Sequence, residues 1–177
     1  MTKRRVTQLG MIRICLVIVI VGLVISGVTA FPLEWEIGIA SQVLHNSPAV
    51  DILPGLVEWI DRVRDALVNT GGRYPFLAYG TDWLAFAHLV IATAFIGPLR
   101  DPVRNLWVIR WGMIACVGVI PLALIAGSVR GLPWGWLLLD CSFGVVAIVP
   151  LLIAERLSRR LELASKEQSG TSVPPGK

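Results

Sequence analysis

The chain is short of charge. Only 16% of its 177 residues are Asp, Glu, Lys or Arg, against roughly 25% in an ordinary soluble domain, while 55% are hydrophobic and the mean hydropathy is +0.71. A water-soluble globule is therefore excluded. Histidine is scarcer still, with two residues, and there are three cysteines. Cys15, Cys116 and Cys141 all fall inside apolar runs. Their odd number argues against a disulfide framework, and no Cys-x-x-Cys pair is present for zinc or redox chemistry. Free thiols in such surroundings behave as small apolar residues. Acidic residues number 12 against 16 basic ones, a formal charge of +4. An excess gathered on one face would point to nucleic acid. Here the Lys and Arg residues sit at the ends of apolar segments, so they read as a topology signal and no nucleic-acid partner is expected. There is no internal repeat.

What is present is a set of long apolar runs. Residues 1–13 carry Lys3, Arg4, Arg5 and Arg13 and lead into an uncharged run over 14–31, close to the roughly 20 residues needed to cross hydrocarbon. Val28-Thr29-Ala30 resembles a small-residue cleavage site, so a removed signal peptide is the rival reading. A retained anchor is favoured because the run exceeds the about 7 to 15 apolar residues of a signal peptide. Further spans are expected at 81–98, 106–127 and 134–154. The fold class is all-α: a four-transmembrane-helix bundle forming one domain over 1–168, its last part a basic helical extension, followed by a disordered tail over 169–177.

The outer loop, 32–80, is the longest polar part. Within it Leu53, Leu56, Val57, Ile60, Val63 and Leu67 recur at helical spacing opposite Glu58, Asp61, Arg62 and Asp65, which predicts an amphipathic extracytoplasmic helix over 54–68. With Trp59 on it, this helix suits a membrane interface, either lying passively or covering the bundle as a lid. Asn69-Thr70-Gly71-Gly72 is expected to stop it, with glycine in the left-handed conformation. Thr81 or Asp82 is expected to cap the second span, and Asp101 followed by Pro102 to open the third.

Orientation follows from the positive residues. With the N-terminus inside, twelve of the 16 Lys and Arg residues lie on the cytoplasmic side, leaving only Arg62, Arg64, Arg73 and Arg130 outside. Both termini are therefore expected in the cytoplasm, and the protein in a bacterial inner membrane. Trp83, Trp134 and Trp136 then mark the outer interface, and Trp107 and Trp111 the inner one.

On this topology His88 lies about 7 to 8 Å inward of Trp83, and Asp140 about 6 Å inward of Trp136, at 1.5 Å per residue. The face Ala85, His88, Ala92 is small and suits close helix packing. A carboxylate within a span is costly unless it finds a donor. A buried polar cluster of His88, Asp140, Asp82 and Arg130 is therefore expected near the outer face. It is read equally as a proton relay or headgroup site and as a hydrogen bond that sets helix register; Asp82 alone reads as a helix cap. Arg110 is expected to snorkel toward the inner headgroups, or to bind anionic lipid there together with Arg100 and Arg104. His45, His88, Asp140 and Cys141 match no metal or haem spacing, and no nucleophile motif surrounds Ser142. No catalytic residue can be named, and no metal or cofactor is expected.

The run from Tyr74 to His88 (YPFLAYGTDWLAFAH), the turn RDPVRN ending at Asn105 and the segment DCSFG beginning at Asp140 resemble small uncharacterised bacterial four-helix membrane proteins. That likeness implies no activity. More loosely, an Asp and a His opening the second span, with Arg130 and then Asp140 opening the fourth, look like VanZ-like proteins, which are associated with glycopeptide tolerance and the cell envelope. Asp82 and His88 stand farther apart than in that pattern, and the third span lacks its Glu and Gln. The expectation is an accessory or assembly subunit, or a binder of lipid or another amphiphile. Its partners would be the bilayer and a second membrane protein or another copy of itself. The alternative is a VanZ-like envelope protein, or an enzyme or proton-coupled carrier using His88 and Asp140.

Overall fold

A computed structural model describes the backbone of residues 3–170 and the side chains of 5–167. Among these residues there are helices and no strand. In chain order they are α1 (Lys3–Ala30), α2 (Leu33–His45), α3 (Ala49–Ile52), α4 (Pro54–Arg73), a 3-10 turn (Pro75–Ala78), α5 (Tyr79–Ala94), α6 (Ile96–Arg100), α7 (Leu106–Val129) and α8 (Trp134–Gly170). Four stretches are long and apolar enough to cross a membrane: Arg5–Ala30, Pro75–Arg100, Leu106–Val129 and Trp134–Glu167. Leu122, Ile125 and Val146 on them are exposed, an apolar surface that lipid solvates and water would not. Most of the expected tail, 171–177, lies outside the described residues.

The chain divides into two compact units. The first joins 1–22 to 92–177, and the second is 23–91.

In the first unit α7 and α8 form an antiparallel hairpin. The turn between them closes on Gly131, whose φ of 69° is a left-handed conformation that a Cβ disfavours. Leu132 N–H donates to the Gly127 carbonyl at 3.0 Å and Gly131 N–H to the Ser128 carbonyl at 3.1 Å, the paired bonds of a Schellman cap. Pro133 then prevents the helix from continuing. Glycines set the spacing of the two helices. A Cβ on Gly144 would lie 2.5 Å from the Cys116 carbonyl oxygen, and one on Gly127 would overlap the Leu137 side chain. One on Gly112 would meet the Phe95 ring at 2.7 Å. Small residues at such points let backbones approach, which is how apolar helices gain packing energy where hydrocarbon surrounds them.

In the second unit α2 packs on α4, burying Val57 and Ile60. Several expected boundaries are corrected. Within the outer loop expected over 32–80, the segment 33–45 is a second helix. Its charges, Glu34 and Glu36, sit in the first turn, where the helix dipole favours them. α4 runs through Gly71 and Gly72 to Arg73 instead of ending at 68, and Gly131 is the one described glycine at positive φ. α5 starts at Tyr79, straight from the 3-10 turn, and Thr81 Oγ1 donates to the Ala78 carbonyl at 2.6 Å instead of capping. Asp101-Pro102 opens a turn, not the helix, and α7 begins at Leu106.

Candidate functional site

His88 and Asp82 belong to the second unit, Arg130 and Asp140 to the first. His88 is half-buried on α5, and its Nδ1–H donates to the Leu84 carbonyl one turn back at 2.8 Å. Because a carbonyl only accepts, this bond places the proton on Nδ1 and leaves Nε2 of the neutral ring as an acceptor. The end of α1 approaches here very closely. A Cβ on Gly27 would lie 2.9 Å from the Ala85 carbonyl oxygen and 3.1 Å from the His88 Cβ, so a small residue is required where α1 crosses α5. Asp82 is half-buried in the first turn of α5. In the first unit Arg130 terminates α7, its N–H donating to the Ala126 carbonyl at 3.0 Å, with its side chain exposed. Asp140 is half-buried on α8 and makes no hydrogen bond or ion pair among the described residues of its unit.

A polar network that sequence reasoning missed lies between α2 and α4. Asp61 accepts from Ser41 Oγ at 2.6 Å and from His45 Nε2 at 2.7 Å, while Arg64 Nη1 donates to Ser41 Oγ at 2.9 Å. Ser41 is 1% exposed. The Ser41 hydroxyl first, then the His45 ring and the Arg64 charge, hold the Asp61 carboxyl below the usual carboxylate range. The order of these groups decides their chemistry. A serine nucleophile needs the imidazole between hydroxyl and carboxylate. Here the carboxylate stands between the other two, and the set works as a clasp joining two helices. Reading 33–45 as a helix would have found it, since Ser41 and His45 are then one turn apart on one side.

Arg110 was expected at the headgroups and has a protein partner. Its Nε and Nη2 reach Glu155 Oε1 at 3.3 and 3.2 Å across the α7–α8 hairpin, and Arg159 approaches the same oxygen at 3.9 Å. The Glu155 side chain is 12% exposed.

The other two arginines of that expected group come together in an open cavity of about 410 Å³ in the first unit. Arg100 belongs to it from the end of α6 and Arg104 from the segment joining α6 to α7, and Arg5 and Arg13 from the first half of α1. Leu9, Val103 and Leu161 supply an apolar wall, and Asp101 is the cavity's carboxylate. The joining segment is fixed locally. Asp101 accepts the Arg104 backbone N–H at 3.0 Å. Asn105 Nδ2 donates to the carbonyls of Gly97 and Asp101 at 3.2 and 3.0 Å, and Pro102 is buried. Arg5 and Arg13 entered the sequence reading only as topology charges, because nothing in a linear chain shows the start of one helix beside a turn some ninety residues on.

Among the described residues no three His, Cys, Asp or Glu side chains gather closely enough to hold a metal ion. Compared with protein-family models, curated proteins and solved structures, the chain finds no match in any of the three.

Proposed function

We propose that this chain is a multi-pass protein of a bacterial cytoplasmic membrane, with both termini in the cytoplasm, that acts without catalysis of its own by binding the head of a lipid or other amphiphile. The observation that carries this reading is the convergence of Arg5, Arg13, Arg100 and Arg104 on one open cavity with an apolar wall. Guanidinium groups keep their charge at every working pH, so they recognise anions and do not exchange protons. A cavity lined by them is suited to holding a ligand, not to acid–base work. The excess of Lys and Arg near the chain ends and the α6–α7 connection supports an orientation in which the cavity opens into the cytoplasmic headgroup layer, where anionic lipids concentrate.

Purification in mild detergent followed by mass spectrometry of the retained lipids tests the reading. The wild-type protein should keep an anionic phospholipid enriched over the bulk membrane, and a variant with Arg100→Gln and Arg104→Gln should lose it. Wild-type lipid no different from bulk, or equal retention by the variant, would refute the proposal.

A further inference from the structure

Four arginines and a single acidic residue, Asp101, line the cavity. Several cations of the chain have a carboxylate partner: Arg64 faces Asp61 and Asp65, Arg110 and Arg159 face Glu155, and Lys166 faces Glu162. The four arginines gathered at the cavity have none among the described residues. Among the described residues the side chains of Arg5, Arg13, Arg100 and Arg104 make no ion pair or hydrogen bond, and Asp101 is engaged by the backbone of its own turn. Like charges gathered this way repel one another until a counter-anion joins them.

We infer that the cavity is a receptor for a ligand bearing two phosphate groups close together, an inference that rests on the amphiphile-binding reading above. One phosphodiester carries a single negative charge and would leave most of the positive charge unbalanced. Each phosphate is best held by forked guanidinium contacts, and four forks supply two phosphates with two each. The spread of the arginines fits this count. Arg5 and Arg13 are eight residues apart on α1, a rise of about 12 Å, while Arg100 and Arg104 approach from a separate segment. A cavity of about 410 Å³ falls within the roughly 300 to 1,000 Å³ of small-ligand sites. The bonds of Asp101 and Asn105 hold the joining segment in place before any ligand arrives, which lowers the ordering cost of binding. Leu9, Val103 and Leu161 give the same cavity an apolar wall, which suits the apolar part of a lipid. Paired phosphates can come from a lipid headgroup or from a free polyanion, and the two sources are separable.

The full-length protein in zwitterionic nanodiscs is titrated with four probes: cardiolipin, phosphatidylglycerol at equal total phosphate, inorganic pyrophosphate and inorganic orthophosphate. Binding is read by the rise in melting midpoint and by adducts in native mass spectrometry. Cardiolipin should bind at least tenfold more tightly than phosphatidylglycerol. That preference should fall to near unity in Arg100→Gln/Arg104→Gln and persist in part in Arg104→Lys, which keeps the charge without the fork. Arg62→Gln, an exposed change in the second unit, should keep the wild-type preference and the wild-type melting curve. Equal binding of the two lipids would overturn the paired-phosphate inference while leaving amphiphile binding intact. Pyrophosphate binding over orthophosphate with no response to either lipid would support the paired-phosphate class and overturn the lipid source. No response to any probe would overturn both.

Discussion

Replacing Gly144 by alanine tests whether the α7–α8 hairpin is held at the separation that the glycines impose. The new Cβ would lie 2.5 Å from the carbonyl oxygen of Cys116 and 3.4 Å from its carbon. Both are backbone atoms of a helix and cannot rotate away, so the helices must part by several tenths of an ångström. That loosens the contacts of Gly127 with Leu137 and of Gly112 with Leu151, and the Arg110–Glu155 pair beyond them. Gly118, on α7, is the control, because a Cβ there meets nothing within 4 Å. Both substitutions gain the helix propensity of alanine over glycine, about 1 kcal/mol, so their difference isolates the steric cost. Overpacking of this kind costs about 1 to 3 kcal/mol, which for a chain of this length corresponds to very roughly 2 to 10 °C in melting midpoint. The measurement is thermal unfolding in detergent followed with a dye that fluoresces on reacting with thiols. Cys116 and Cys141, both only partly exposed, report the opening of the hairpin. Gly118→Ala should melt at or above wild type and Gly144→Ala several degrees below it. Equal midpoints for the two variants would refute the close approach.

The Asp61 clasp carries a pH dependence of known sign. Its carboxyl is held below the ordinary range in the folded state, so its contribution to α2–α4 packing is complete above the ordinary carboxylate value of about 4 and is lost as pH falls through the lower folded value. Hydrogen exchange of α2 amides, corrected for the intrinsic rate, should therefore speed up on acidification, and Asp61→Asn should be faster at neutral pH with a flatter acid response; an unchanged acid response in the variant would count against the clasp. Glu155→Gln removes the charge that Arg110 and Arg159 share. With Arg110 half-exposed, the loss should be about 1 kcal/mol, nearer to an exposed pair than to a buried one, and restoring neutrality with Arg110→Gln should recover part of it in the same thermal assay. No shift in either variant would mean that the pair contributes nothing.

The sequence by itself determined the solvent and the element type. A chain with 16% charged residues and runs such as 14–31 and 106–127 can satisfy its backbone in hydrocarbon only within helices, because each residue's polar groups must then bond inside its own segment. The break between the spans at 106–127 and 134–154 is local too: Gly131 takes the left-handed conformation that closes the turn and Pro133 stops the helix. Helix limits at 73, 79 and 106 were less so: Gly71-Gly72, Thr81 and Asp101-Pro102 have breaker or cap chemistry, and their neighbours overrode it. Residues 33–45 received no element of their own within the outer loop, because the packing of that helix on α4 and the His45–Asp61 contact lie between segments and not along the chain. What the tertiary structure alone decided was which charges meet. Arg110 found Glu155 forty-five residues away, Asp61 found Ser41 and His45, and Arg5 and Arg13 came to the same cavity as Arg100 and Arg104. Electrostatic pairing depends on distance in space and on what else shares the dielectric. Spacing along the chain fixes that within one helix turn and leaves it open between helices.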